Sequence, residues 1–234
     1  MPHSTLVDCG TLAGHLEDPG WIVFDCRHDL ARPDAGQQAW RAGHIPGARF
    51  LHLDHDLAAP LTGANGRHPL PEAAVFGQTL RRHGVDSTSQ VIAYDDAGGM
   101  FAARLWWMLR WLGHEAVAVL DGGLQDWLAR GLPLNTAEPA PRPGNFAGRP
   151  RTGSTLDCAG VLAGLADPRL MILDARAADR FRGENETLDP VGGHIPGARN
   201  RFFRNNLGAD GRFKPAGELQ REFAALLGAH APSA

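Results

Sequence analysis

The sequence has few of the features that mark a secreted or membrane protein. Its three cysteines are an odd and small number for 234 residues, which argues against a disulfide framework and predicts reduced thiols. No stretch approaches the roughly 20 consecutive apolar residues of a membrane span, and the first residues lack the basic and apolar regions of a signal peptide. We therefore expect a cytoplasmic protein with no membrane partner.

Neither sign of charge is in large excess, because the sequence has 23 Lys and Arg and 26 Asp and Glu, which gives a net charge of -3. A charge this small argues against general binding of nucleic acid or an anionic membrane. Metal-binding pairs such as Cys-x-x-Cys or His-x-x-x-His are absent, and we expect the loop histidines His52, His55 and His68 to be solvated. We predict small-molecule partners, no metal or other cofactor, and a monomer.

What the sequence does contain is a long repeat. The heptapeptide Gly-His-Ile-Pro-Gly-Ala-Arg occupies residues 43–49 and returns unchanged at residues 193–199. Upstream of it, Phe24-Asp25-Cys26-Arg27 is matched by Leu173-Asp174-Ala175-Arg176. The spacing is much longer than the roughly 20 to 50 residues of a solenoid repeat. The chain is therefore predicted to contain a duplicated domain.

Strands and helices alternate in the predicted elements. Short, continuous apolar runs are typical of strands buried on both faces of a parallel sheet. We predict strands at 21–24, 48–53, 90–94, 116–120 and 170–173. We predict helices at 5–16, 73–83, 100–112, 124–129, 155–165 and 215–227. This order indicates an α/β fold with a parallel sheet, whose functional groups lie at the carboxyl ends of the strands.

The repeat also divides the chain. We predict a first domain at 1–134, a proline-rich linker at 135–153 and a second domain at 154–234. The second copy is shorter than the first by roughly fifty residues. That difference corresponds to the strand at 90–94, the loop after it, the apolar helix at 100–112 and the last strand and helix.

With these motifs in order, the chain resembles the tandem-domain rhodaneses, which are thiosulfate and 3-mercaptopyruvate sulfurtransferases. The resemblance rests on the two heptapeptides and on the segments 99–107, 121–127 and 174–183. It implies two rhodanese-like domains, each a parallel five-stranded sheet flanked by helices, with the second incomplete in this chain. It also implies small partners: an anionic sulfur donor, and a thiol or cyanide as acceptor.

The chemistry that the resemblance implies is transfer of a sulfane sulfur through a cysteine persulfide. The family places the cysteine in a loop of converging amide groups before a helix, where the thiol pKa is lowered. Cys9 and Cys158 instead occupy equivalent positions in the first helix of each copy, and we interpret both as structural. Cys26 follows a strand, but the second copy has Ala175 there, so we interpret Cys26 as structural too.

The family's cysteine position in the first copy, directly after the strand at 90–94, is held by Asp95. A carboxylate cannot carry a persulfide, so the first domain is predicted to be inactive. The repeat spacing places the corresponding loop of the second copy beyond Ala234. We therefore expect no nucleophilic cysteine within the sequence and an inactive 1–234 chain.

Two arginines are the candidate donor-binding residues. Arg180 matches an arginine with which the family binds the anionic donor, and Arg182 is a second candidate. The alternative for Arg180 is an ion pair with Glu184 or Glu186. Mercaptopyruvate enzymes of the family add another arginine before the turn, and the segment Thr187–Val191 has none, which favours thiosulfate.

We therefore predict a sulfurtransferase that moves a sulfane sulfur from thiosulfate to cyanide or a thiol, and three other functions stay open at this point. The nearest is a 3-mercaptopyruvate sulfurtransferase. A non-catalytic rhodanese-like binding module would need only the residues present. A phosphatase relative of the same fold would need a longer Cys-x5-Arg loop.

Overall fold

The computed structural model describes residues 1–228 and 230. The chain divides into two compact units, Met1–Thr152 and Gly153–Ala234. Within the described residues, no helix is long and apolar enough to cross a membrane.

The first unit is built on a five-stranded sheet with the order β1-β5-β4-β2-β3, in which every neighbouring pair is parallel. The strands are β1 Leu6–Val7, β2 Trp21–Asp25, β3 Arg49–Phe50, β4 Gln90–Tyr94 and β5 Val117–Leu120. The helices are α1 Cys9–Ala13, α2 Ala35–Ala42, α3 Ala73–Arg82, α4 Ala102–Trp111 and α5 Gly123–Ala129. The predicted α/β fold with a parallel five-stranded sheet is confirmed for this unit.

Two apolar cores cover the two faces of this sheet. Successive side chains of a strand point to opposite faces, and in β4 Val91 packs in one core while Ile92 packs in the other. The first core contains buried residues of α3 and α4, and the second contains buried residues of α1 and α5. The continuous apolar sequence of β4 follows from this burial on both sides.

The start of the chain differs from the prediction. We predicted a helix from residue 5, but Leu6–Val7 forms β1 beside β5, and α1 begins only at Cys9. The Asp8 carboxylate caps α1 by accepting the amide N–H of Thr11 at 3.0 Å. In the second unit Asp157 caps the matching helix in the same way, at Gly160.

The proline-rich segment is not a free linker as far as Thr152. Phe146 is buried in the first core, and the amide groups of Gly144 and Phe146 donate to carbonyls of the first unit, those of Arg81 and Val85. Part of the segment predicted as a linker, 135–153, is therefore packed against the first unit, which ends at Thr152. Prolines leave the segment extended, and its remaining N–H groups bind it to the unit it follows.

The second unit has less regular structure. Its elements are α6 Cys158–Gly164, β6 Leu173–Asp174, α7 Ala178–Phe181, β7 Arg199–Asn200, a 3-10 turn Phe203–Asn206 and α8 Ala216–Leu227. The strands β6 and β7 form a two-stranded parallel sheet. No described residue of its three helices is fully buried.

Candidate functional site

Each copy contains the same ion pair at the carboxyl end of a strand, tied to the heptapeptide. In the first copy the guanidinium of Arg27 donates to the Asp25 carboxylate at 2.6 to 3.1 Å and to the carbonyl of Gly43 at 2.7 Å. In the second, Arg176 donates to Asp174 at 2.5 to 3.0 Å and to Gly193 at 2.6 Å. We call this unit, Asp-x-Arg with its heptapeptide, the repeated frame.

The histidine of the heptapeptide has a structural role in both copies. Nδ1 of His44 lies 2.8 Å from the carbonyl oxygen of Trp40, and its ring stacks on the indole at 4.7 Å between ring centroids. Nδ1 of His194 lies 2.7 Å from the carbonyl oxygen of Phe181, and its ring stacks on the phenyl at 3.7 Å. These contacts hold each ring in the turn, and in the first copy Nε2 of His44 also lies 3.2 Å from the carbonyl oxygen of Ala137.

Tyr94 contacts the repeated frame of the first copy, a role that was not predicted from the sequence. Its hydroxyl donates to the Asp25 carboxylate at 2.6 Å and accepts the amide N–H of Ile45 at 3.3 Å. Burial, and next the charge of Asp25, raise the pKa of the hydroxyl well above its usual value. The available signal was that the only tyrosine of the chain is the last residue of a buried strand.

The loop after β4 forms an anion cradle, and Asp95 fills it. One carboxylate oxygen accepts the amide N–H groups of Ala97 and Gly99 at 2.8 and 2.9 Å. The other accepts those of Phe101 and Ala102, at the start of α4, at 2.8 and 2.9 Å. The side chain is fully buried.

This geometry suits an anion, because four N–H dipoles and a helix N-terminus converge on one point. Gly98 and Gly99 have φ values of 76° and 85°, and this left-handed backbone lets the loop curl around the carboxylate. At Gly123 a Cβ would lie 2.4 Å from the carbonyl oxygen of Asp95, so only glycine fits there. The cradle of the first unit is closed and holds no sulfur nucleophile.

None of the three cysteines lies in such a cradle. Cys9 is buried in α1, and the matching Cys158 is exposed in α6. Cys26 is buried beside the first frame, where burial and then the nearby carboxylate of Asp25 raise its thiol pKa well above the usual value. A thiol in that state is protonated and a poor nucleophile at neutral pH.

The two candidate arginines are both engaged in ion pairs. Arg180 donates to both oxygens of Glu186, at 2.9 to 3.1 Å, and to Asp189 at 3.1 Å. Arg182 donates to Glu184 at 2.7 and 3.0 Å on the exposed surface. Arg180 is the better placed of the two, because only it shares a carboxylate with the second frame, Glu186 lying 3.7 Å from Arg176.

A cleft of about 430 Å³ opens at the second frame. It is lined by Asp174, Arg176 and the residues 191–195 that lead into the heptapeptide. Its cationic group is Arg176, whose side chain is 29% exposed, whereas that of Arg27 in the first copy is 8% exposed. The second frame is therefore open to solvent where the first is closed.

Known proteins match the chain as follows. The profile of the rhodanese-like domain matches residues 8–130. A Pseudomonas aeruginosa protein named "Probable 3-mercaptopyruvate sulfurtransferase" is 48% identical over 229 residues, covering 97% of this chain and 81% of that protein. Thiosulfate sulfurtransferase of Bos taurus is 32% identical, covering 88% and 70%.

A solved structure is similar over almost the whole chain. SseA from Escherichia coli, whose description names the rhodanese fold and 3-mercaptopyruvate sulfotransferases, has a TM-score of 0.83 and 31% identity. The match covers 99% of this chain and 85% of that one. It therefore extends over both units.

Proposed function

The chain belongs to the rhodanese family and is a sulfurtransferase, and we propose that its sulfur donor is 3-mercaptopyruvate. The main support is the relative named for that donor, which is 48% identical over 97% of the chain. The similarity to SseA is further support. The absence of arginine from Thr187–Val191, which favoured thiosulfate in the sequence analysis, carries less weight than an alignment of this extent.

The proposed reaction is a double displacement. A cysteine thiolate attacks the sulfur of 3-mercaptopyruvate, a sulfur–sulfur bond forms, and the carbon–sulfur bond breaks to leave the enolate of pyruvate, which takes up a proton. An acceptor thiolate then attacks the outer sulfur of the persulfide and releases the enzyme thiolate. The first half-reaction needs a cation that binds the anionic donor, and both half-reactions need N–H groups that stabilise the enzyme thiolate.

We place donor binding in the second unit, at Arg180, with Arg182 as the weaker candidate. Arg180 holds Glu186 and Asp189 in the geometry in which a guanidinium binds a carboxylate. The carboxylate of a donor would take the place of the more exposed partner, Asp189, whose side chain is 35% exposed against 6% for Glu186. Arg176 lines the adjoining cleft and would attract the anion.

We also propose that Cys9, Cys26 and Cys158 do not carry the transferred sulfur. The supporting contrast is with the Asp95 cradle, whose four amide N–H groups converge on an anion and hold a carboxylate instead of a thiolate. The family's chemistry then requires a cysteine from outside residues 1–234. This proposal makes residues 1–234 a scaffold and a donor-binding surface.

Thiosulfate is the second candidate donor, favoured by the missing arginine. The test is to assay the protein encoded by the whole reading frame for pyruvate released from 3-mercaptopyruvate and for thiocyanate released from thiosulfate and cyanide. We expect kcat/KM to be at least about tenfold higher for 3-mercaptopyruvate, about 1.4 kcal/mol of transition-state discrimination. The reverse order would assign thiosulfate.

The cysteine assignment needs a separate measurement. Residues 1–234 are incubated with either donor, and the mass of each cysteine-containing peptide is determined after alkylation. We expect no peptide to gain one sulfur atom. A persulfide on Cys26 or Cys158 at one equivalent per chain would overturn the assignment, and alkylation of the same peptides without donor is the control.

A further inference from the structure

A cluster of imidazole and carboxylate groups lies in the first unit, at the end of its sheet. His28 follows β2, and His52 and Asp54 follow β3, so the fold brings them to the carboxyl ends of two adjacent parallel strands. We predicted that His52 would be solvated, but it is 6% exposed, and His28 is 8% exposed. That prediction was wrong because the loop after β3 folds over the sheet.

We propose that His28, His52 and Asp54 bind a divalent transition-metal ion of the zinc class. One ring nitrogen of each histidine and one carboxylate oxygen lie within 4.8 Å of one another. Zinc binds these atom types at about 2.0 to 2.2 Å. A small rotation of the side chains toward a common centre would therefore complete a site with three protein ligands.

Two buried atoms of the cluster lack partners. Nδ1 of His28 and Nε2 of His52 are enclosed and accept or donate no hydrogen bond among the described residues. A buried polar atom without a partner costs free energy, and a metal ion would supply a partner for Nδ1 of His28. His52 would bind the ion through Nδ1, which in the metal-free chain accepts the amide N–H of Asp54 at 3.1 Å.

A third histidine supports the carboxylate. Nε2 of His68 lies 3.0 Å from Oδ1 of Asp54, an arrangement that orients a ligating carboxylate. Arg104 holds this loop by donating to the carbonyl oxygens of Leu57 and His68 at 2.7 to 2.9 Å. His68 has a φ of 50°, so a non-glycine residue is held in the left-handed region at this point.

The ligand set selects the type of ion. Two imidazoles and one carboxylate suit Zn²⁺, Co²⁺, Ni²⁺ or Fe²⁺ better than Mg²⁺ or Ca²⁺, which prefer oxygen ligands. Asp54 is 33% exposed and borders a cleft of about 380 Å³. Solvent or an added ligand could therefore reach the open coordination positions from that side.

The test uses the untagged 234-residue chain, stripped of metal by a chelator. Co²⁺ is titrated while visible absorption is recorded, and Zn²⁺ affinity follows from displacement of Co²⁺. We expect one equivalent to bind with the d–d bands of nitrogen and oxygen ligation. H28Q, H52Q and D54N should each weaken binding by more than about 100-fold, and H68Q by about 10- to 100-fold.

Two controls keep the test decisive. H15Q alters a histidine of the same unit that stacks on Trp21, outside the cluster, and should bind as the parent does. Circular dichroism and the melting temperature show whether each metal-free variant is folded. D54N is the variant that changes the shape of its side chain least. No binding to the parent below millimolar metal, or equal affinity in the parent and H52Q, would overturn the proposal.

Discussion

The same seven residues occur in two surroundings in this molecule. Ile45 of the first heptapeptide is fully buried, whereas Ile195 of the second is 43% exposed. The helices that open the two copies differ in the same sense, since Cys9 is buried and Cys158 is exposed. Yet the arginine of each frame binds the equivalent aspartate and the equivalent glycine carbonyl of its own copy. The motif thus specifies local hydrogen bonds but not burial.

Part of the core that buries the first heptapeptide comes from elements that follow it in sequence. Ile45 packs in a core with side chains of β4, β5 and α5, among them Ile92, Leu124 and Trp127. After the second heptapeptide, the described residues provide β7, a 3-10 turn and α8. An apolar cleft of about 520 Å³ lies beside Ile195 and is lined by residues of α6 and its flanking segments.

The largest expected contrast is between the aspartates of the two frames. Asp25→Ala should lower the free energy of unfolding by about 3 to 5 kcal/mol, because the buried Arg27 and the Tyr94 hydroxyl lose their acceptor. Asp174→Ala should cost about 1 kcal/mol, because water can solvate Arg176. Urea unfolding followed by far-ultraviolet circular dichroism measures both. Equal losses of unfolding free energy in Asp25→Ala and Asp174→Ala would contradict the predicted difference between the two frames.

The isoleucines provide a purely apolar version of the comparison. Ile45→Ala should cost about 2 to 5 kcal/mol, because it leaves a cavity in a closed core. Ile195→Ala, at a site already exposed to water, should cost less than about 1 kcal/mol. The measurement is the same urea titration, and each variant is the matched control of the other. A cost above about 2 kcal/mol at Ile195 would mean that this residue is covered.

The reaction rates of the three cysteine thiols compare the two copies in the native protein, with no need to unfold it. Cys158 should react with a disulfide reagent in the native protein, and Cys9 should react at least about 100-fold more slowly, because it must first be exposed by opening of the fold. Cys26 should be as slow, since its pKa is raised. Stopped-flow absorbance counts the fast thiols. Cys158→Ser should remove the fast phase, and a fast phase that survives would contradict this assignment.

The smallest expected effect is the pH dependence that Glu186 of the second copy contributes to stability. The amide N–H groups of Leu188 and Asp189, and then Arg180, lower the pKa of Glu186 to about 2. Because the folded pKa lies below the unfolded value of about 4.3, Glu186 stabilises the fold above that pH, and the stabilisation is lost as pH falls toward 2.

Urea midpoints between pH 5 and pH 2 measure this effect. Glu186→Gln should reduce the loss on acidification, and Glu184→Gln, on the exposed surface, is the matched control. If the urea midpoint falls with pH equally steeply in Glu186→Gln and in the parent, the assignment of this pKa is contradicted.

The main strands and the cradle position were predictable from the sequence, because their signals are local. The apolar run from Val91 to Tyr94, followed by Asp95 and then by Gly98 and Gly99, marks a buried strand and a tight loop. The structural role of His44 was predictable too, from its repetition in a copy without a nucleophile. In each case neighbouring residues carry the information.

Features that depend on contacts distant in sequence were not predictable. β1 has two residues, too few for a periodic pattern, and it exists because β5 offers an edge. Phe146 is a lone aromatic among prolines, and its burial depends on where the chain turns back. His28, His52 and Asp54 come together only because β2 and β3 are adjacent in the sheet.

The most direct test of the comparison is amide hydrogen exchange at the two heptapeptides. Their sequences are identical, so their intrinsic exchange rates are nearly equal and any difference reports on structure. Mass spectrometry of peptic fragments that include different flanking residues distinguishes residues 43–49 from 193–199. We predict exchange at least about 100-fold slower in the first, where the amides of His44 and Ile45 donate to Asn135 and Tyr94. Equal protection of the two heptapeptides would contradict the account.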